Sequence, residues 1–99
     1  MNFLIIEDEP LAAQKLIGYI ERYFPEVNIV AQLDKTSDVM AFFDREQQLD
    51  LIFSDIELLD GQVFNVLNDL DLPCPVIYTT SYDQHWTQAF QNQGIEYLL

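Results

Sequence analysis

Short β-type apolar runs alternate with amphipathic stretches along this chain, and two of those runs end in acid. Phe3-Leu4-Ile5-Ile6 passes directly into Glu7-Asp8-Glu9, and Leu51-Ile52-Phe53 passes through Ser54 to Asp55. A run with no polar residue at alternate positions is apolar on both faces, so each reads as a strand covered on both sides. Between the first run and the next, Leu11, Ala12, Leu16, Ile17, Tyr19, Ile20 and Tyr23 recur at helical spacing. Pro10 suits the first turn of that helix and Pro25 stops it.

The same alternation continues to the end. The stretch 27–33 is β-rich, and Ser37 can cap a helix carrying Val39, Met40, Phe42 and Phe43. Asp60-Gly61 predicts a turn, followed by a helix with Val63, Phe64, Val66, Leu67 and Leu70. Pro75 opens a fourth strand over 76–79. Asp83 then caps a helix bearing Trp86, Ala89 and Phe90, which Gly94 closes, and 95–99 reads as a fifth strand. Four βα units and a final strand predict an α/β, doubly wound parallel sheet, with right-handed crossovers placing helices on both faces. In such sheets function sits beyond the carboxyl ends of the strands.

Glu7-Asp8-Glu9, Asp55 with Glu57, and Thr79-Thr80-Ser81 occupy those ends. In the flavodoxin-like order 2-1-3-4-5 the first and third strands are neighbours, and Glu7, Asp8 and Asp55 converge. Three carboxylates at close range raise one another's pKa, and a bound Mg²⁺ resolves the conflict through carboxylate, water and phosphate oxygens. A carboxylate in such a site can act as a nucleophile and form an aspartyl-phosphate. A hydroxyl on the neighbouring strand would then bind a phosphoryl oxygen.

Composition narrows the field of partners. The chain has 99 residues, the size of one domain, with 17 Asp plus Glu against 4 Lys plus Arg and a formal net charge of -13. That charge repels nucleic-acid phosphates, so no nucleic acid is expected to bind this segment directly. The one cysteine, Cys74, allows no internal disulfide and fits a reducing, cytoplasmic setting. No apolar run approaches the roughly 20 residues of a membrane span, and the amino terminus has no signal-peptide pattern. His85 carries no expected metal role, and the Tyr78, Tyr82, Trp86, Phe90 and Tyr97 group reads mainly as packing.

Five stretches together resemble the response-regulator receiver (CheY-like) family, most closely the branch that precedes LytTR-type DNA-binding domains, the LytR/AlgR-like regulators. They are Ile5-Ile6-Glu7-Asp8-Glu9-Pro10; Leu51 through Leu58 around Asp55; Asp60-Gly61; Pro75 through Asp83; and Ile95-Glu96-Tyr97-Leu98-Leu99. The resemblance implies that Asp8 with Glu7 is the acidic metal pair and that Asp55 is the phosphoacceptor and a metal ligand. It implies that the backbone carbonyl of Glu57 reaches a Mg²⁺ ion and that Thr80 contacts the phosphoryl group. Ser81 leaves room for that group, and the rotamer of Tyr97 reports activation. A sensor histidine kinase is the implied phosphodonor, and DNA is reached through a further C-terminal domain. Such a chain catalyses only its own phosphorylation and dephosphorylation.

The segment from Asp55 to Gly61 is shorter than in many relatives and lacks their proline. The family's lysine and fifth helix would come after Leu99, so the resemblance implies a single receiver domain over 1–99, truncated at its carboxyl end. Loss of the fifth helix would expose apolar surface including parts of Ile77, Ile95, Tyr97 and Leu98, and a homodimer or an exchange of C-terminal segments is the expected outcome. Three rivals remain. An aspartate phosphatase would carry its nucleophile in an Asp-x-Asp motif on the first strand. A flavin or nucleotide binder would need a phosphate loop there, and Gly18, Gly61 and Gly94 lie elsewhere. A receiver-shaped interaction module that is never phosphorylated would keep the fold without the chemistry.

Overall fold

Five parallel strands form one sheet in the order β2-β1-β3-β6-β7. The computed structural model describes residues 1–79 and the strand Glu96–Leu98. In chain order the elements are β1 (Asn2–Ile6), α1 (Pro10–Tyr23), β2 (Asn28–Leu33), α2 (Thr36–Phe42) and β3 (Leu51–Asp55). A small hairpin, β4 (Glu57–Leu58) with β5 (Gly61–Gln62), follows, and then α3 (Phe64–Leu67), β6 (Val76–Thr79) and β7 (Glu96–Leu98). With the hairpin set aside, this is the doubly wound 2-1-3-4-5 order expected from the sequence. The helix expected from Asp83 to Gly94, with Trp86, Ala89 and Phe90, lies outside the described residues. So do Thr80, Ser81, His85, Ile95 and Leu99. No described helix is long and apolar enough to cross a membrane.

The strands divide their side chains between two cores. Leu4 and Ile6 of β1, Ile52 of β3 and Val76 and Tyr78 of β6 join Val39 of α2, Phe64, Val66 and Leu67 of α3 and the hairpin's Leu58. On the opposite face Phe3, Ile5 and Phe53 pack against Ile20, Leu16 and Ile17 of α1. Alternate residues of one apolar run thus feed opposite cores, which is why those runs show no polar period. Edge-to-face contact between Phe64 and Tyr78, with ring centroids 4.9 Å apart, closes the larger core.

Three local features depart from the sequence expectations. First, α1 turns inward on Ala13, Leu16, Ile17 and Ile20, at the 3.6-residue period, while Leu11, Tyr19 and Tyr23 face outward. Second, Ser37 does not cap α2. Its position is inside the first turn, the cap position is Lys35, and no cap bond comes from that side chain. The Asp60 carboxylate accepts from the backbone N–H of Thr36 at 2.6 Å instead. Third, the Asp60-Gly61 turn closes a β-hairpin, with Glu57 opposite Gln62 and Leu58 opposite Gly61. Gly61 adopts φ 141, a conformation that L side chains rarely enter. The helix expected from Val63 to Leu70 is correspondingly short, with regular geometry only over Phe64–Leu67.

Ile52 lies on the central strand with 0% exposure. Ile52→Ala should therefore destabilise the protein by about 2–5 kcal/mol, the range for deleting a large buried aliphatic group. Urea unfolding followed by far-UV circular dichroism measures this, and a change below about 1 kcal/mol would contradict the assigned core.

Candidate functional site

Register brings the acids together. β1 and β3 are hydrogen-bonded neighbours with Ile6 opposite Ser54, so Glu7-Asp8 and Asp55 leave the sheet side by side. One carboxylate oxygen from each of Glu7, Asp8 and Asp55 lies within 4.8 Å of the others. The third acid of the sequence cluster is used differently. Glu9 takes the cap position of α1 and accepts from the Leu11 N–H at 3.3 Å. That is the ordinary use of an acid at a helix start, and it separates Glu9 from its two neighbours.

Backbone donors hold buried Glu7 and half-buried Asp55 in place. The Glu9 N–H donates to Glu7 Oε2 at 3.1 Å, and the Ile56 N–H donates to Asp55 Oδ1 at 2.7 Å. The Glu57 N–H adds a further bond to the Asp55 carboxylate. Ser54, with 0% exposure, turns its hydroxyl onto the Asp55 carbonyl oxygen at 2.8 Å, which fixes the backbone of the residue that presents the carboxylate. This support from Ser54 had no signal in the sequence beyond its place before Asp55. The Glu7 N–H reaches the Leu33 carbonyl of β2 at 2.9 Å, so β1 stays paired past its last strand residue.

The electrostatics follow from the crowding. Burial pushes the Glu7 carboxyl up to about 7, and the Asp55 charge and its hydrogen bond add to the rise, while the bond from the Glu9 backbone opposes it. Asp55 is also raised, first by burial, with the Asp8 charge contributing; its bonds from Glu7, Ile56 and Glu57 act the other way. In the protein alone, a proton shared by Glu7 and Asp55 offsets the repulsion. The donor set is entirely carboxylate oxygen, which suits a hard divalent cation and no soft one. The residues therefore fit Mg²⁺, with Glu7, Asp8 and Asp55 as the groups that would hold it.

Of the remaining sequence candidates, Glu57 begins β4, two residues beyond Asp55. Thr80 and Ser81 lie outside the described residues. Thr79, just before them, stands in register with Asp55. Tyr97 lies on β7 in register with Tyr78.

No family model matches the chain. Among curated proteins it is 35% identical over its whole length to the sensory transduction protein LytT of Enterococcus faecalis, covering 41% of that protein. It is likewise 35% identical to the sensory transduction protein LytR of Streptococcus mutans, covering 42% of it. The chain thus spans about two-fifths of the length of these relatives. Among solved structures it superposes on the response regulatory domain of protein mrkE from Klebsiella pneumoniae with a TM-score of 0.76 and 29% identity, covering 100% of this chain and 82% of that one. The sheet order, the likeness to that regulatory domain and the identity to these response regulators together define a response-regulator receiver domain. Within that class, the chain fits a receiver domain of the LytR type, matching the LytT and LytR proteins over its whole length and about two-fifths of theirs.

The raised carboxyl has a testable sign. A carboxyl whose pKa is higher folded than unfolded binds protons more tightly when folded, so metal-free stability falls as pH rises from about 4.5 to about 7. Glu7→Gln should flatten that fall and make the metal-free protein more stable at pH 8, while weakening Mg²⁺. In the unsubstituted protein Mg²⁺ affinity should rise between pH 6 and 8, with proton release visible as a buffer-dependent calorimetric heat. A pH-independent affinity, or a Glu7→Gln protein less stable at pH 8, would contradict the shared-proton account.

Proposed function

We propose that this chain is a phosphoacceptor switch that takes a phosphoryl group onto Asp55 in a Mg²⁺-dependent reaction. The observation that carries the reading is the meeting of Glu7, Asp8 and Asp55 within 4.8 Å beyond two adjacent parallel strands. The phosphodonor is a phosphohistidine on a sensor histidine kinase. An Asp55 oxygen forms the new P–O bond as the P–N bond breaks, and the imidazole nitrogen keeps the electron pair, leaving a neutral histidine ring that carries its proton on the other nitrogen. The Ile56 and Glu57 N–H groups fix the carboxylate for that attack. Bound Mg²⁺ supplies charge neutralisation between the carboxylates and the incoming anion, the main catalytic requirement of phosphoryl transfer.

The remaining roles belong to the same proposal. The Glu57 carbonyl is a further Mg²⁺ ligand, Thr80 receives a phosphoryl oxygen, Ser81 gives it room, and Tyr97 reports the switched state. The chain acts on no other substrate than its own phosphodonor and acyl phosphate. It works in the cytoplasm as the receiver part of a longer transcription regulator whose LytTR-type domain contacts DNA. The -13 net charge favours that division of labour, because this part repels DNA on its own.

Incubation with phosphoramidate and Mg²⁺ should add one phosphoryl group that is labile to hydroxylamine, detected by intact-mass spectrometry. Asp55→Ala should abolish the adduct, and chelation should reduce it at least tenfold. Label that persists in Asp55→Ala would overturn the assignment. A folded, Mg²⁺-binding protein that takes no label would favour a non-phosphorylated interaction module.

A further inference from the structure

Asp60 lies at the tip of the β4–β5 hairpin, outside the acid cluster, and hydrogen bonds at the two ends of the hairpin tie it to α2 and to Asp55. Its Oδ1 accepts from the Thr36 N–H at 2.6 Å and its Oδ2 from the Ser37 N–H at 3.3 Å. Thr36 is the first residue of α2, and the cap position, Lys35, offers no side-chain acceptor. The first-turn donors of α2 are therefore met from a different element. At the other end of the hairpin, Ile56 and Glu57 donate their N–H groups to Asp55.

The hairpin between these ends has little slack. Ile56 and Leu58 are buried in the larger core, and the Ile56 carbonyl accepts from the Val63 N–H at 2.8 Å. Glu57 pairs with Gln62 and Leu58 with Gly61, whose positive φ permits the tight return. A second link runs in parallel, since the Glu7 N–H bonds the Leu33 carbonyl just before α2 begins. Both acid-bearing segments are thus tied to the amino end of α2.

We propose that Asp60 is a positioning residue for the acid site. By clamping the hairpin tip to α2 it holds the Ile56-Glu57 backbone against Asp55, and it couples occupancy of that site to the start of α2. The inference rests on the reading of Asp55, Asp8 and Glu7 as a Mg²⁺-dependent phosphoacceptor site. Asp60 touches neither metal nor phosphoryl group. It acts through the backbone segment between them, as outer contacts orient the groups that bind directly.

Three variants test this. Asp60→Ala removes the acceptor, and Asp60→Asn keeps one acceptor oxygen. Thr36→Pro removes the donor at the first helical position, where proline suits a helix; Lys35 is already extended at φ -137 and ψ 151, as a residue before proline must be. Mg²⁺ affinity is measured by calorimetry at pH 8, well below each protein's Tm. Asp60→Ala and Thr36→Pro should each weaken Mg²⁺ about tenfold, Asp60→Asn should stay near the unsubstituted value, and the Asp60→Ala/Thr36→Pro double variant should be no weaker than either single one. Labelling by phosphoramidate should slow in parallel at limiting Mg²⁺ and recover at saturating Mg²⁺. If Asp60→Ala lowers Tm but leaves Mg²⁺ affinity unchanged, Asp60 is a helix cap alone and the proposal is overturned. Additive losses in the double variant overturn it as well, because the two changes would not act through one contact. If the unsubstituted protein takes neither Mg²⁺ nor label, the site reading fails and this inference falls with it.

Discussion

Repulsion among three carboxylates is the constraint around which this protein is arranged. Parallel pairing of β1 with β3, Ile6 opposite Ser54, forces Glu7, Asp8 and Asp55 into one small space. An unfolded chain would keep these charges apart, so folding assembles an unfavourable site that only a proton or a cation relieves. The surroundings tolerate it because the acids sit on rigid supports. Both strands are buried on two faces, and backbone N–H groups from Glu9, Ile56 and Glu57 meet the carboxylates. Stability given up at the site is the physical basis of its affinity for a cation.

The two faces of the sheet contribute differently. α1 covers one side with a compact cluster around Phe3, Ile5, Ile20 and Phe53. The other side carries the larger core, and it alone includes the hairpin residues Ile56 and Leu58 that follow the phosphoacceptor candidate. The residues directly after Asp55 are thus anchored in the core shared by α2 and α3. Packed interiors resist gradual deformation, so a shift there repacks in discrete steps. The Asp60 contact adds a polar link along the same direction, from the site toward α2.

Much of this was legible from residue order. The apolar runs at 3–6, 51–53 and 76–79 became strands at the expected places, and the sheet takes the flavodoxin-like 2-1-3-4-5 order, one of the doubly wound orders that βα alternation allows. The meeting of Glu7, Asp8 and Asp55 followed from that order, because strand ends in a parallel sheet share one edge. Less legible was which apolar residues of α1 face inward. Ala13 carries too small a side chain to announce a buried position, and Leu11 and Tyr23 advertise burial they do not have.

The sequence by itself determined the strand periodicity, the crossover topology and the acids that must end up together. Those depend on hydrophobic pattern and chain connectivity, which are local or nearly so. Only the tertiary structure decided how the acids divide their work, with Glu9 spent on a helix cap, Glu7 buried and its carboxyl pushed up to about 7, and Asp60 capping a helix 23 and 24 residues away. The reason is that a carboxylate's role is set by the donors and charges within a few ångströms of it, and those arrive from segments that local sequence does not connect.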